Sequence, residues 1–272
     1  MSLVVVGMGG SHLAADLLRI LKPELDIIVH RDYGLPPNIK NRLIILSSYS
    51  GNTEEVLDAY DKAAGLNRAV ITIGGKLLEK AKQDNTPFIL LPVGLQPRDA
   101  IHHSLKALYQ FLGEDLNIDD LTPTSFDDQG QKLAAEIKDR IPLIYTSTKY
   151  QALGYIWKIK FNETGKIPAF NSVLPEADHN EINSFAKFKN FYALFVPSKD
   201  DHPKIIKRME VTAKLYNEIG IPTKFIELTG SDTLHKIFNF LALANATALA
   251  TAKIYGLDPV AVPMIENLKK QL

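Results

Sequence analysis

Residues 3–18, LVVVGMGGSHLAADLL, run from four aliphatic residues through a glycine turn into helix-forming residues. A short, continuous apolar run suits a strand covered on both faces, as in a parallel sheet. Gly7, Gly9 and Gly10 supply a tight turn, and Ser11 to Ile20 carries helical periodicity. The same alternation continues outward. Asp26 to His30, Arg42 to Leu46, RAVITI at 68–73 and PFILLPV at 87–93 read as strands, while 53–64, 76–82 and 99–112 read as helices. This pattern predicts βαβ units around a mainly parallel sheet flanked by helices, an α/β/α sandwich.

A polar stretch, GEDLNIDDLTPTSFDDQG at 113–130, has the Asp, Pro, Ser and Gly content of a linker. Beyond it the alternation resumes, with helices at 133–139, 150–163, 231–255 and 260–270, and strands in PLIYTS (142–147), FYALFVP (191–197) and TKFIEL (223–228). Two α/β lobes are therefore expected, 1–120 and 121–272, without a strong fixed-period sequence repeat.

With 46% hydrophobic and 23% charged residues among 272, the chain has the composition of a globular protein with a sizeable core. Lys plus Arg (31) balance Asp plus Glu (31), so no overall field draws it to nucleic acid or to an anionic membrane. There is no basic, aromatic-rich patch of the kind that binds DNA. The absence of cysteine excludes disulfides, thiolate metal sites and a cysteine nucleophile. The apolar start lacks a basic leader and is broken by glycines, and no run of about 18 apolar residues occurs. A cytoplasmic location is the expectation.

Two loops stand out. In LSSYSGNTEEVL, residues 46–57, Ser47, Ser48, Ser50, Asn52 and Thr53 cluster where a strand hands over to a helix. Ligands of open α/β sheets bind at that edge, and a helix N-terminus with nearby hydroxyls suits a phosphate. Turn chemistry alone is equally compatible, since Asn52 and Glu55 have capping-box spacing. The glycine loop at Gly7–Ser11 is not a dinucleotide fingerprint, because His12 stands where G-x-G-x-x-G needs its last glycine, and no Gly-Lys-Ser/Thr makes it a Walker loop.

SSYSGNTEE (47–55) resembles the phosphosugar-binding motif of sugar isomerase (SIS) domains, and GMGGS (7–11) resembles their first glycine loop. Further along, GLQPRDA (94–100), FNETGKIPAFNSVLPEADHNEI (161–182) and LDPVAVPMIENLKKQL (257–272) are similar to the bifunctional phosphoglucose/phosphomannose isomerases of archaea and bacteria. The motifs occur in order over nearly the whole chain. Members of that family usually carry a further segment before the glycine loop, and its absence here is expected to bear on dimer packing or a cleft wall. The resemblance implies two SIS-type lobes, a sugar phosphate as substrate, no cofactor and no metal. It also implies interconversion of glucose 6-phosphate, and of mannose 6-phosphate, with fructose 6-phosphate through an enediol(ate), in glycolysis or gluconeogenesis.

Such chemistry needs a carboxylate base, a cation near the developing oxyanion, a group to open the sugar ring and a phosphate anchor. Glu163 ends the helical run YQALGYIWKIKFNE (150–163), where a helix C-terminus disfavours the carboxylate and so strengthens it as a base. By resemblance it shuttles the C1/C2 proton. Asp178 and Glu181 have capping-box spacing and put His179 in a first helical turn, whose positive end disfavours imidazolium. The resemblance gives His179 a part in ring opening, reached across the interface of a homodimer. It gives Arg98 the enediolate and Lys269 a share in ring opening, with Lys270 turned to solvent. Ser48, Ser50 and Thr53 would hold the phosphate, with Gly10 and Ser11 lining the cleft.

His102 and His103 are adjacent and, on a helix, would point apart, while His12, His30, His202 and His235 show no ligand spacing. Two other readings stay open: a non-catalytic phosphosugar-binding regulator, and an SIS isomerase of another sugar phosphate, such as an amino-sugar phosphate.

Overall fold

The computed structural model describes residues 2–118, 121, 125–269 and 271. The chain divides into two compact units, Met1–Thr122 and Pro123–Leu272. The expected boundary after residue 120 lies outside the described residues, as does Lys270.

In the first unit, β1 (Ser2–Val6), β2 (Asp26–His30), β3 (Leu43–Ser47), β4 (Arg68–Thr72) and β5 (Phe88–Leu90) form one parallel sheet in the order β2-β1-β3-β4-β5. Every neighbouring pair is parallel, with Val6 opposite Leu46 and Ser47 opposite Ile71. The helices α1 (Leu13–Leu21), α2 (Glu54–Lys62), α3 (Gly75–Gln83) and α4 (Ile101–Phe111) flank it. The expected helix from Ser11 starts later, because Gly9–His12 closes a tight 3₁₀ turn first. Val4, Val6, Ile44, Leu46 and Val70 pack against Val56, Ala59 and Tyr60 of α2 and Leu77 and Ala81 of α3. Burial on both faces is why these strands read as unbroken apolar runs.

The second unit repeats the plan with α5 (Asp127–Ile137), β6 (Ile141–Ser147), α6 (Gln151–Ile159), β7 (Phe170–Leu174), α7 (Ala177–Asn180), β8 (Phe191–Val196), α8 (Pro203–Glu218), β9 (Thr223–Phe225), α9 (Thr233–Ile254) and α10 (Pro263–Lys269). Its sheet, also parallel, runs β7-β6-β8-β9. Two elements escape the sequence patterns. β7 is an edge strand, FNSVL, with only Leu174 buried, so it shows no continuous apolar run. α8 is largely polar and buries only Met209, Thr212, Ala213 and Tyr216, starting at Pro203 with His202 Nδ1 accepting the Lys204 N–H at 3.1 Å.

α9 is long and apolar enough to cross a membrane by length and composition alone. Its Ile237, Phe240, Ala244, Thr247, Ala248 and Thr251 are nonetheless buried, and a Cβ at Gly130 of α5 would lie 2.7 Å from the Ala246 carbonyl carbon. That approach fixes glycine on α5 and marks α9 as a core helix of this unit.

Candidate active site

The order β2-β1-β3-β4-β5 reverses direction between β1 and β3, and ligands of open α/β sheets bind beyond the strand ends at such a switch point. The glycine loop leaves β1 there and the hydroxyl loop leaves β3. They are joined directly: Ser47 Oγ donates to the Ser11 carbonyl at 2.7 Å, and the Tyr49 N–H donates to Ser11 Oγ at 3.0 Å.

Within the hydroxyl loop, Ser48 Oγ and Thr53 Oγ1 share a hydrogen bond of 2.8 Å, and Ser48 Oγ accepts the Gly51 N–H at 3.1 Å. Exposed Ser50 accepts the Asn52 N–H at 3.2 Å. Thr53 is the N-cap of α2, yet its side chain makes no cap bond, having turned to Ser48. The expected capping box fails for a tertiary reason: Asn52 Oδ1 instead accepts the Lys76 N–H at 3.1 Å, tying the loop to α3. Gly51 allows this, with φ +69° and Gly74 O only 1.8 Å from where a Cβ would stand.

A third loop completes the group. Tyr49 OH donates to the Pro92 carbonyl at 2.8 Å and accepts the Leu95 N–H at 3.0 Å, drawing the turn after β5 toward β3. That turn carries Arg98, which is 2% exposed, with Nη1 donating to Gln96 Oε1 at 3.3 Å. A solvated surface charge is thereby ruled out. A Cβ on Gly10 would fall 2.5 Å from Pro97 C and 2.6 Å from Arg98 N. These are backbone atoms of one loop, so the clash is not relieved by a side chain turning aside. Gly10→Ala is expected to lower stability by about 1–3 kcal/mol, as overpacking does, and urea denaturation checks it. Gly10, Ser11, Ser48, Ser50, Thr53 and Arg98 are thus brought together in the first unit.

Beneath the glycine loop lies an arrangement that ligand spacing did not reveal. His12 is buried, its Nδ1 is 2.7 Å from Asp16 Oδ2, and Arg31 Nη2 donates to Asp16 Oδ1 at 3.0 Å. His102 and His103 do not diverge as expected; their ring centroids are 3.9 Å apart, and burial followed by Lys106 holds His103 below the usual imidazole range.

In the second unit the position of β3 is taken by β8, but the following loop carries carboxylates. Asp201 Oδ2 accepts the Ser198 N–H at 2.8 Å, while Asp200 Oδ2 accepts from Lys236 Nζ at 2.8 Å and Tyr150 OH at 3.0 Å. The Lys236 bond, then that of Tyr150, holds Asp200 below the usual carboxylate range. The protein's own acids occupy these donors, unlike the hydroxyl-rich loop of the first unit.

Glu163 does not end α6. The helix widens into a π-helical turn, Lys160–Gly165, a feature frequent at functional sites. Lys160, buried, donates to Asn245 Oδ1 of α9 at 3.0 Å, and Asn162 Oδ1 accepts the Ala169 N–H at 3.0 Å. Lys166 Nζ donates to the Glu163 carbonyl at 2.6 Å and to the Ala261 carbonyl, clasping this turn to the segment that leads into α10. Half-buried Glu163 lines a cavity of about 500 Å³ with Lys166, Asp258, Val262, Met264 and Ile265. Lys269, exposed, closes α10, which starts at Pro263 and not at the expected Val260.

His179 lies elsewhere in the second unit, on the single turn α7 after β7, and is exposed. The expected capping box is absent here too. Both acids face the body of the unit: Asp178 accepts from Arg208 and Thr212, and Glu181 accepts from Tyr145 and Ser172. One turn holds too few aligned peptides for the dipole effect expected from the sequence.

Comparison with known proteins identifies the chain's relatives. Residues 126–272 match a family model described as the bacterial phospho-glucose isomerase C-terminal SIS domain. The chain is 31% identical to a bifunctional phosphoglucose/phosphomannose isomerase of Aquifex aeolicus, covering 99% of this chain and 90% of that protein. It is also 31% identical to a D-glucosamine-6-phosphate 4-epimerase of Sulfolobus acidocaldarius, over 78% of this chain and 71% of that one. Among solved structures, a hypothetical protein of Thermus thermophilus shares the fold, with a TM-score of 0.75 at 15% identity over 99% of this chain and 82% of that chain.

Proposed function

The chain belongs to the phosphoglucose/phosphomannose isomerase family of SIS-domain proteins, and from that premise we propose that it interconverts glucose 6-phosphate, and mannose 6-phosphate, with fructose 6-phosphate. The observation that carries this reading is the buried Arg98 packed on the glycine loop at Gly10, beside a hydroxyl loop whose helix lacks a side-chain cap. That combination suits an anionic substrate whose reaction develops further negative charge.

Ser48, Ser50 and Thr53 hold the phosphate, and Gly10 and Ser11 line the sugar. His179 and Lys269 open the ring: a proton leaves the anomeric hydroxyl, the ring C–O bond breaks, and the ring oxygen takes a proton. Glu163 then removes the proton from C2 of the aldose, an enediolate forms, the hydroxyl proton passes from O2 to O1, and the same carboxylate returns the proton to C1. Arg98 stabilises the enediolate oxygen where its charge appears. Removal from either C2 epimer gives the same enediolate, which is why one base can serve both glucose and mannose phosphates. The working unit is a homodimer in which His179 serves the neighbouring copy, and the setting is cytoplasmic carbohydrate metabolism, in glycolysis or gluconeogenesis. Neither cofactor nor metal enters these steps.

The test is incubation with fructose 6-phosphate in the presence of a chelator, resolving glucose 6-phosphate and mannose 6-phosphate. Both products are expected. The epimerase relative favours a second reading, an amino-sugar phosphate as substrate; glucosamine 6-phosphate in parallel decides between them. Binding without product would point to a regulator. Ser48→Ala is expected to raise the Kd for fructose 6-phosphate about tenfold or more, the loss of a hydrogen bond to a charged group, measured by calorimetry. An unchanged Kd removes Ser48 from the anchor.

A further inference from the structure

His179 sits between two acids that the proposed mechanism does not use. The turn follows β7 and begins at the cis Leu174–Pro175 peptide bond. Its backbone closes on itself, Asp178 N–H to the Pro175 carbonyl at 3.1 Å and Glu181 N–H to the Ala177 carbonyl at 2.9 Å. A four-residue helix has little stability of its own. Side chains must hold it.

They do so in pairs. Asp178 Oδ2 accepts from Arg208 Nη1 at 3.0 Å, and Oδ1 accepts from Thr212 Oγ1 at 2.9 Å, so that one carboxylate spans two residues one turn apart on α8. Glu181 Oε2 accepts from Tyr145 OH at 3.0 Å, and Oε1 accepts from Ser172 Oγ, which ties it to β6 and to β7. The Tyr145 end is rigid. Its ring is 1% exposed, stacks on Phe195 at 5.1 Å between centroids, and its hydroxyl lies 3.0 Å from Tyr216 OH. Burial pushes the Tyr145 phenol well above its ordinary range and that of Tyr216 up to about 12, so both act as neutral donors at any working pH. The imidazole of His179, by contrast, makes no hydrogen bond to another described residue, and it is exposed.

We propose that Asp178 and Glu181 are positioning residues for His179: each spends both carboxylate oxygens on the body of the second unit, which fixes the turn and leaves the imidazole between them uncommitted for its proton transfer. The inference rests on the ring-opening role of His179 proposed above. Displacement of a catalytic group by about 1 Å can slow a reaction about 10²-fold, and these four bonds are what prevent such displacement.

The test compares two substrates, fructose 6-phosphate and 5-deoxyfructose 6-phosphate. The second has no 5-hydroxyl and its O6 carries the phosphate, so it stays open-chain and needs no ring opening. Asp178→Ala and Glu181→Ala, with Glu181→Gln as a variant of nearly unchanged volume, are expected to lower kcat on fructose 6-phosphate by about 10–100-fold with KM unchanged. Their rates on the open-chain substrate are expected to stay within about twofold of the native protein, the tolerance for a step that bypasses the displaced group. A general structural defect would depress both substrates alike, and equal losses, or none, overturn the proposal. His179→Ala is measured alongside. Should it fail to discriminate between the substrates, the ring-opening role itself falls and the positioning role with it; selectivity in His179→Ala but not in the acid variants overturns the positioning role alone.

Discussion

Glu163→Gln is expected to lower turnover of fructose 6-phosphate by about 10²–10⁴, the contribution of a positioned acid–base group, and to abolish deuterium uptake at C2 of the product in heavy water to the same degree. The amide keeps the size of the side chain and loses only its capacity to take a proton. The fold should survive, because three other bonds hold this turn: Lys160 bonds Asn245, Asn162 bonds the Ala169 N–H, and Lys166 holds the Glu163 carbonyl, a main-chain atom. KM should change little, since the proton moves only in the chemical step. Residual turnover within tenfold of native would assign the base to another residue. A rise in KM with kcat unchanged would make Glu163 a binding residue only.

The first unit was the more legible in sequence. β1 and β3 lie inside a sheet covered on both faces, so their burial is written locally as apolar runs. Their loops carry glycine and hydroxyl side chains for reasons that are also local: tight turns, and bonds such as Ser48 to Thr53, five residues apart. Legibility fails where a side chain is committed over distance. Asn52 and Glu55, like Asp178 and Glu181, have the spacing of a capping box, yet tertiary partners won in both places. Asn52 reaches Lys76, 24 residues on; Asp178 reaches Thr212, 34 residues on; Glu181 reaches Tyr145, 36 residues back. A cap stabilises by about 1 kcal/mol, no more than an alternative bond to a neutral donor, and bonds made by a charged carboxylate exceed it. Spacing therefore picked out residues whose side chains are committed and assigned them the wrong partners. β7 and α8 were hidden for a related reason: β7 is only partly covered and α8 exposes most of its length, so neither carries an apolar signature.

Arg98→Leu is the second large effect, with kcat expected to fall about 10²–10³-fold, the range for removal of one oxyanion-stabilising donor. Leucine fills much of the space with an apolar side chain and removes the charge, which separates electrostatics from packing. At 2% exposure, the guanidinium is shielded from water, and a cation there acts on a developing oxyanion far more strongly than it would in solvent. The cation is also fixed in advance: the Gly10 approach and the Tyr49 bonds to Pro92 and Leu95 hold its loop against β1 and β3. Because negative charge on the sugar oxygens grows only toward the enediolate, the loss should fall on kcat and leave KM nearly unaltered. Arg98→Lys keeps the charge on a shorter stem without the planar fork, and should lie between the leucine variant and the native protein. If Arg98→Leu instead raised KM tenfold or more at constant kcat, the guanidinium would be holding the substrate phosphate in the ground state, and the oxyanion would have to be stabilised by another group.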